Sequence, residues 1–322
     1  MKRRPRAGIL LLGLAVGVLA APPSAVAAPE AAGAARPQPP SSAELRTATP
    51  PAGVGTQESL GAPTPLPGGS RQTFPDHRVV SLYGAPQMGA TVLGRLSTSD
   101  AGRRVHYEAS RYRWPGAKPV VPAFELVASI ATADAGRDGR YRFRQSDATI
   151  ASYLRAARRA DTRLLLDVQP GRASLASELY ALRRWLREPD IDLAIDPEWN
   201  VGPRGVPGRT DGSVDARTIN HLSWELGKIA NANHLPQKLL VIHQFRRGSV
   251  SGRSLIKRRN FVAPTLSFDG IGSASAKRAG YEALSSRRIS NGFCVFYRLD
   301  RGLMSPGSVV NLSPRPLYVL YQ

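Results

Sequence analysis

The sequence predicts an α/β protein of the (β/α)8 barrel class, and three observations lead there. Short apolar runs rich in Val, Leu, Ile and Phe recur eight times. Helical patterns separate most of them. Together they fill roughly 245 residues, the usual size of such a barrel. Strands joined through helices pair in parallel with right-handed crossovers. An open doubly wound sheet is the competing reading, and the lack of a Gly-rich turn after the first run counts against it.

The runs are RVVSLY (78–83), VVPAFELVA (120–128), RLLLDV (163–168), IDLAID (191–196), KLLVIHQF (238–245), FVAPTLSFD (261–269), GFCVFYRL (292–299) and PLYVLY (316–321). The first clear helix, SDATIASYLRAARRA, opens on a Ser/Asp cap and aligns Ile150, Tyr153, Leu154 and Ala157. The second aligns Leu175, Leu179, Leu182 and Leu186 and is stopped by Pro189. The third aligns Ile219, Leu222, Leu226 and Ile229 and ends before Pro236. SASAKRAGYEAL is a weaker fourth. No good helix separates the last two runs, so the barrel is expected to be irregular.

The barrel is assigned to residues 74–322. Residues 1–27 read as a secretory signal: Lys2, Arg3, Arg4 and Arg6 precede the apolar GILLLGLAVGVLAA and the small-residue site Ala25-Val26-Ala27. A retained membrane anchor is the alternative, but the run is short for a bilayer span. Residues 28–73, mostly Ala, Pro, Gly, Ser and Thr, have too little apolar surface to offset chain entropy, and a disordered linker is expected. The expected setting is therefore extracellular or cell-wall associated, with no stable membrane insertion after cleavage.

The formal charge is +20, from 44 Lys and Arg against 24 Asp and Glu. Arginine is spread along the chain, which suits either a merely basic surface or long-range attraction to an anionic polymer. No nucleic-acid module is present, and none is expected as a partner. Cys294 is the only cysteine, which excludes an intrachain disulfide, and its place in GFCVFY fits a small buried residue.

Chemistry concentrates where the runs end. Side chains alternate between strand faces, so Ala194, Asp196 and Glu198 share one face, as do Leu165, Asp167 and Gln169. Thr265, Ser267 and Asp269 form a third set, Ala123, Glu125 and Val127 a fourth, and Ser81 and Tyr83 a fifth. In a barrel these sets point inward and converge on the C-terminal mouth, where barrel enzymes carry their chemistry. Asp167 or Asp269 alone could simply cap a turn, and Glu125 could pair with an arginine. Asp196 and Glu198 together are harder to dismiss, because like charges on one face repel unless something holds them.

Glu198, Asp196, Asp167 and Asp269 are thus the candidate catalytic residues. Tyr83, Glu125, Gln169, Trp199, His243, Gln244 and Tyr297 are the candidate substrate-binding residues. Trp199 and the following Gly/Pro-rich loop suit a sugar ring, and Trp114 is a second possible wall. Paired carboxylates suit glycosidic cleavage: one donates a proton to the leaving oxygen, while the other attacks, activates water or steadies positive charge. Glu198, further toward the mouth, is the expected acid.

His243 reads as a structural histidine or as a metal ligand beside Asp167, Asp196 or Asp269. No HxH or HExxH spacing supports metal, and neither metal nor cofactor is expected. Nucleophilic-serine (GxSxG) and phosphate-loop motifs are absent.

The blocks SLYGAPQMGATVLG, LLLDVQPGRAS, LAIDPEW and LPQKLLVIHQF together resemble a largely uncharacterised family of secreted bacterial barrel proteins, many of them actinobacterial. The likeness spans most of residues 77–322. More loosely, DPE resembles the fourth-strand Asp-x-Glu of barrel glycoside hydrolases of the chitinase-like and lysozyme-like kinds. That resemblance implies Glu198 as proton donor with Asp196 as its partner. Pro197 and the lack of a longer acidic array depart from the chitinase pattern. The expectation is a secreted glycoside hydrolase-like enzyme on an anionic or neutral envelope or extracellular polysaccharide. A non-catalytic carbohydrate-binding barrel and a metal-assisted deacetylase or phosphodiesterase are the alternatives.

Overall fold

Each of the eight runs is a strand in the computed structural model, which describes residues 38–47 and 59–322. In chain order they are β1 (Arg78–Gly84), β2 (Val120–Ala131), β3 (Arg163–Val168), β4 (Ile191–Ile195), β5 (Lys238–Gln244), β6 (Val262–Phe268), β7 (Ser290–Val295) and β8 (Tyr318–Tyr321). Every neighbouring pair is parallel. Pairing of β1 with β8 as well as β2 closes the cylinder, with Val80 opposite both Val319 and Pro122. The fold is a closed (β/α)8 barrel, and the open sheet is excluded.

The helices around it include α1 (Thr98–Ser110), α2 (Asp147–Arg159), α3 (Leu175–Leu182), α4 (Ala216–Ala232), α5 (Ala274–Leu284) and α6 (Pro306–Val310). Each of these six begins at a Ser or Asp whose side chain accepts a backbone N–H of the first turn: Ser97, Ser146, Ser174, Asp215, Ser273 and Ser305. Helix α1 was not expected. Its inner face is carried by small residues and Val105 plus one buried acid, Glu108, held by Arg104 and Arg111. Only the five-residue α6 separates β7 from β8, in keeping with an irregular barrel.

Strand β2 outlasts the barrel. A register shift between Val127 and Ser129 frees its end to pair antiparallel with Arg142–Arg144 at the rim. At the opposite end of the cylinder, a buried ion pair between Arg163 and Asp192 (2.9 Å) plugs the interior, and Asp192 also accepts the Leu239 N–H.

The 28–73 segment departs from a free linker where it is described. Residues Ser42–Thr47 form a helix with Leu45 buried, anchored by Ser42 donating to Asp134. Leu66 is buried too, and the Thr64 N–H donates to Asp190. Composition alone missed this because a few well-placed contacts suffice to hold a polar segment on a preformed surface. The expected signal, 1–27, lies outside the described residues.

Candidate active site

The C-terminal strand ends surround a cavity of about 120 Å3. Tyr83 is the penultimate residue of β1, Gln169 follows β3, Asp196 and Glu198 follow β4, and Asp269 follows β6. Trp199, Phe245, Ile271, Phe296 and Leu299 supply apolar walls.

The loop after β4 explains how Glu198 gets there. The strand ends at Ile195, so strand alternation does not set the Glu198 direction. Pro197 instead opens a 3-10 turn, Pro197–Trp199, closed by the Trp199 N–H donating to the Asp196 carbonyl (3.1 Å). The Glu198 carbonyl accepts from the Gly212 N–H (2.8 Å), which folds the Gly/Pro-rich loop back over the turn. Next to it, Gly171 has φ +60°, and a Cβ there would lie 2.3 Å from the Tyr141 carbonyl oxygen. Only glycine lets these rim loops close up. Arg172 then lies 4.0 Å over the Tyr141 ring and donates to the Gly205 carbonyl, tying three loops together.

Two hydrogen-bonded groups lie at and beneath the cavity floor. Their members Glu125, Asp167, His243 and Tyr318 are buried and do not line the cavity, so the expected substrate-binding place of Glu125 and His243 is not met. In the first, Gln169 Nε2 donates to Tyr83 Oη and to Asp196 Oδ2, both at 3.0 Å. Tyr83 Oη lies 3.3 Å from Asp167 Oδ2 and 3.2 Å from Asp196 Oδ2. A phenol has one proton and cannot donate to both. A proton on Asp167 resolves the conflict, with Asp167 donating to Tyr83 and Tyr83 donating to Asp196. Burial, followed by the charge of Asp196, does push the Asp167 carboxyl well above the usual carboxylate range. Burial and the same carboxylates also raise the Tyr83 phenol.

In the second group His243 is sandwiched between carboxylates, with Nδ1 2.6 Å from Asp269 and Nε2 2.7 Å from Glu125. Glu125 also accepts from Tyr318, and Ser267 donates to Asp269 at 3.1 Å. Burial opposes charge on the imidazole, but Asp269 and Glu125 outweigh it and hold His243 well above its ordinary value. A doubly donating imidazolium is the state both contacts require. Burial raises Asp269, in part offset by His243. Among the described residues no Lys or Arg is ion-paired with Glu125, Asp167, Asp196 or Asp269, so His243 is the local cation.

Several expectations need correction. Asp167 is buried beneath the cavity and does not line it. Glu125 is held by His243 and Tyr318, not by an arginine. Gln244 cannot share the inward direction of its neighbour His243; it donates to the Leu284 carbonyl at the end of α5. Tyr297 lies past the end of β7, donates to Glu108 on α1 and stacks on Tyr321. Trp114 sits beside Val120, where β2 begins, at the end of the barrel away from the mouth. Asp269 caps no helix, since Ser273 caps α5. Tyr318 was missed, although alternation along the last run places it inward with Leu320.

Fold and site together define a (β/α)8 barrel with an acid-lined, aromatic-walled cavity at its C-terminal mouth. No protein-family profile matches the chain, and no curated protein matches it. Among solved structures, a ruminal GH26 endo-β-1,4-mannanase is similar at 10% identity over 77% of this chain, with a TM-score of 0.38. The chain spans 59% of that mannanase's length. So distant a likeness does not bear on activity or substrate. No helix among the described residues is long and apolar enough to cross a membrane.

Proposed function

We propose that the chain is a glycoside hydrolase-like enzyme acting on an extracellular or envelope polysaccharide. The observation that carries this reading is the convergence of Asp196 and Glu198 on one aromatic-walled cavity at the barrel mouth. Glu198, on the rim turn, donates a proton to the glycosidic oxygen as the bond to the anomeric carbon breaks. Asp196, fixed by Gln169 and Tyr83, attacks that carbon or takes a proton from the attacking water. Protonated Asp167 acts through Tyr83 and keeps a second negative charge away from Asp196. The cavity, about 120 Å3, is small beside the 300–1,000 Å3 or so of sites that enclose a whole ligand. It therefore takes one ring or chain end, with the rest of the polymer over the rim. Placement outside the cell rests on the character of residues 1–27.

The test is reducing-end release from purified cell-wall and extracellular polysaccharides by wild type and by Glu198→Gln. Cleavage by wild type alone supports the reading. A polymer bound but left uncut by both favours the non-catalytic carbohydrate-binding barrel.

One observation favours a second reading, a metal-assisted hydrolase. Glu125, Asp167 and His243, and likewise Asp196, His243 and Asp269, bring possible ligand atoms within 4.8 Å of one another. Against it, both His243 nitrogens are already engaged by carboxylates, and a metal would have to displace one. Metal analysis of purified protein, with activity before and after chelation, separates the two.

A further inference from the structure

A groove of about 590 Å3 runs between α3 and α4 on the outside of the barrel, and none of its residues lines the mouth cavity. Tyr180 on α3, Arg183 at its C-terminal cap and Arg187 in the 3-10 turn that follows line one wall, while His221 and Lys228 stand on the other. Leu179, Leu222 and Ile229 form its floor. The wall residues have what an anionic sugar chain needs. Arg183 and Arg187 make no side-chain hydrogen bond or ion pair among the described residues, unlike Arg184 beside them, which pairs with Asp147. Two guanidinium forks are therefore open to carboxylate or phosphate oxygens.

Large rings are also left in water. Tyr180 is 72% exposed, and Trp224, on α4 beside the groove, is 47% exposed with Lys228 Nζ 3.8 Å over its ring. The apolar face of a pyranose packs on such rings, while its charged substituent reaches the cations. Glu225 is the one acid lining the groove, and it is paired with Lys228. Together with a chain charge of +20, the groove complements a polyanion, and its rings favour a saccharide over other polyanions.

We propose that the α3–α4 groove is a second carbohydrate-binding site that takes an acidic polysaccharide and holds the polymer while the mouth works on it. The choice of a saccharide rests on the polysaccharide reading above, whereas binding itself does not depend on catalysis. The test uses the whole protein and three probes at moderate salt: polygalacturonate, a neutral mannan and double-stranded DNA. Arg183→Glu/Arg187→Glu is compared with Arg287→Glu/Arg288→Glu, an equal charge change in the loop after α5, and with Tyr180→Ala/Trp224→Ala.

Polygalacturonate affinity is expected to fall about tenfold or more in both groove variants and less than about twofold in the loop variant. Mannan is expected to bind weakly, and DNA binding to be insensitive to the aromatic pair. Glu198→Gln keeps full binding, so a failure of the catalytic reading leaves this result standing. Equal losses in the groove and loop charge variants would overturn the proposal, as would an aromatic variant that binds polygalacturonate like wild type.

Discussion

Replacing Asp167 by asparagine should remove a proton that the folded protein holds and the unfolded chain does not. Asp167 is buried, shares Tyr83 with Asp196, and has no hydrogen-bond partner at Oδ1 among the described residues. Its carboxyl is pushed well above the ordinary value by burial and then by Asp196. Between about 3.9 and that raised value, the native state binds more protons at this position than the unfolded state. Stability therefore falls as pH rises, by up to about 1.4 kcal/mol per unit. Asparagine has nearly the same shape, stays neutral and removes this slope.

For each pH unit climbed inside that window, the variant should gain up to about 1.4 kcal/mol relative to wild type. At about 2–4 °C per kcal/mol for a domain of this size, that is a relative melting-temperature gain of up to about 3–6 °C per pH unit. Urea unfolding of both proteins at several pH values between about 4.5 and 6.5 measures the difference, in which groups common to both largely cancel. Parallel stability profiles, or a variant that grows relatively weaker as pH rises, would refute a protonated Asp167 and the hydrogen-bond order assigned around Tyr83.

His243→Gln leaves Glu125 and Asp269 buried without their cation and should cost about 3–5 kcal/mol near neutral pH. Because the folded His243 value is raised, its contribution is full below about 6.5 and fades as pH climbs, so thermal melts of variant and wild type should converge in alkali. Lys238, buried and lowered to about 7 mainly by burial, gives the opposite sign. From about 7 to about 10 the unfolded chain holds the extra proton, so wild type gains up to about 1.4 kcal/mol per pH unit. Lys238→Met should lose that gain in denaturant titrations at pH 7 and 9. Glu198→Gln should lower kcat by roughly 10²–10⁴ with an unchanged melting temperature.

The barrel was legible in the sequence because its signal is redundant. Apolar runs and helix caps recur, and a closed cylinder is where eight alternations of strand and helix lead. Helix α1 was harder to see, since Glu108 gives its buried face a charge that makes sense only beside Arg104, Arg111 and Tyr297. At the mouth, alternation placed Tyr83, Glu125, Asp167, Gln169 and Asp196 on inward faces. Two or more residues past the strand ends it no longer set the direction. Tyr297 follows β7 and turns outward, while Glu198 reaches the cavity by a proline-started turn that no period encodes. The partner of Glu125 was out of reach as well, since His243 is 118 residues away and meets it only across the closed barrel.

A crystal structure of Glu198→Gln soaked with a cleaved oligosaccharide tests the central claim most directly. One sugar ring should occupy the mouth against Trp199, with the introduced side-chain amide at position 198 within about 3.2 Å of the glycosidic oxygen and Asp196 facing the anomeric carbon. A sugar that binds only outside the mouth, with Asp196 and the side chain at position 198 touching no part of it, would contradict the account.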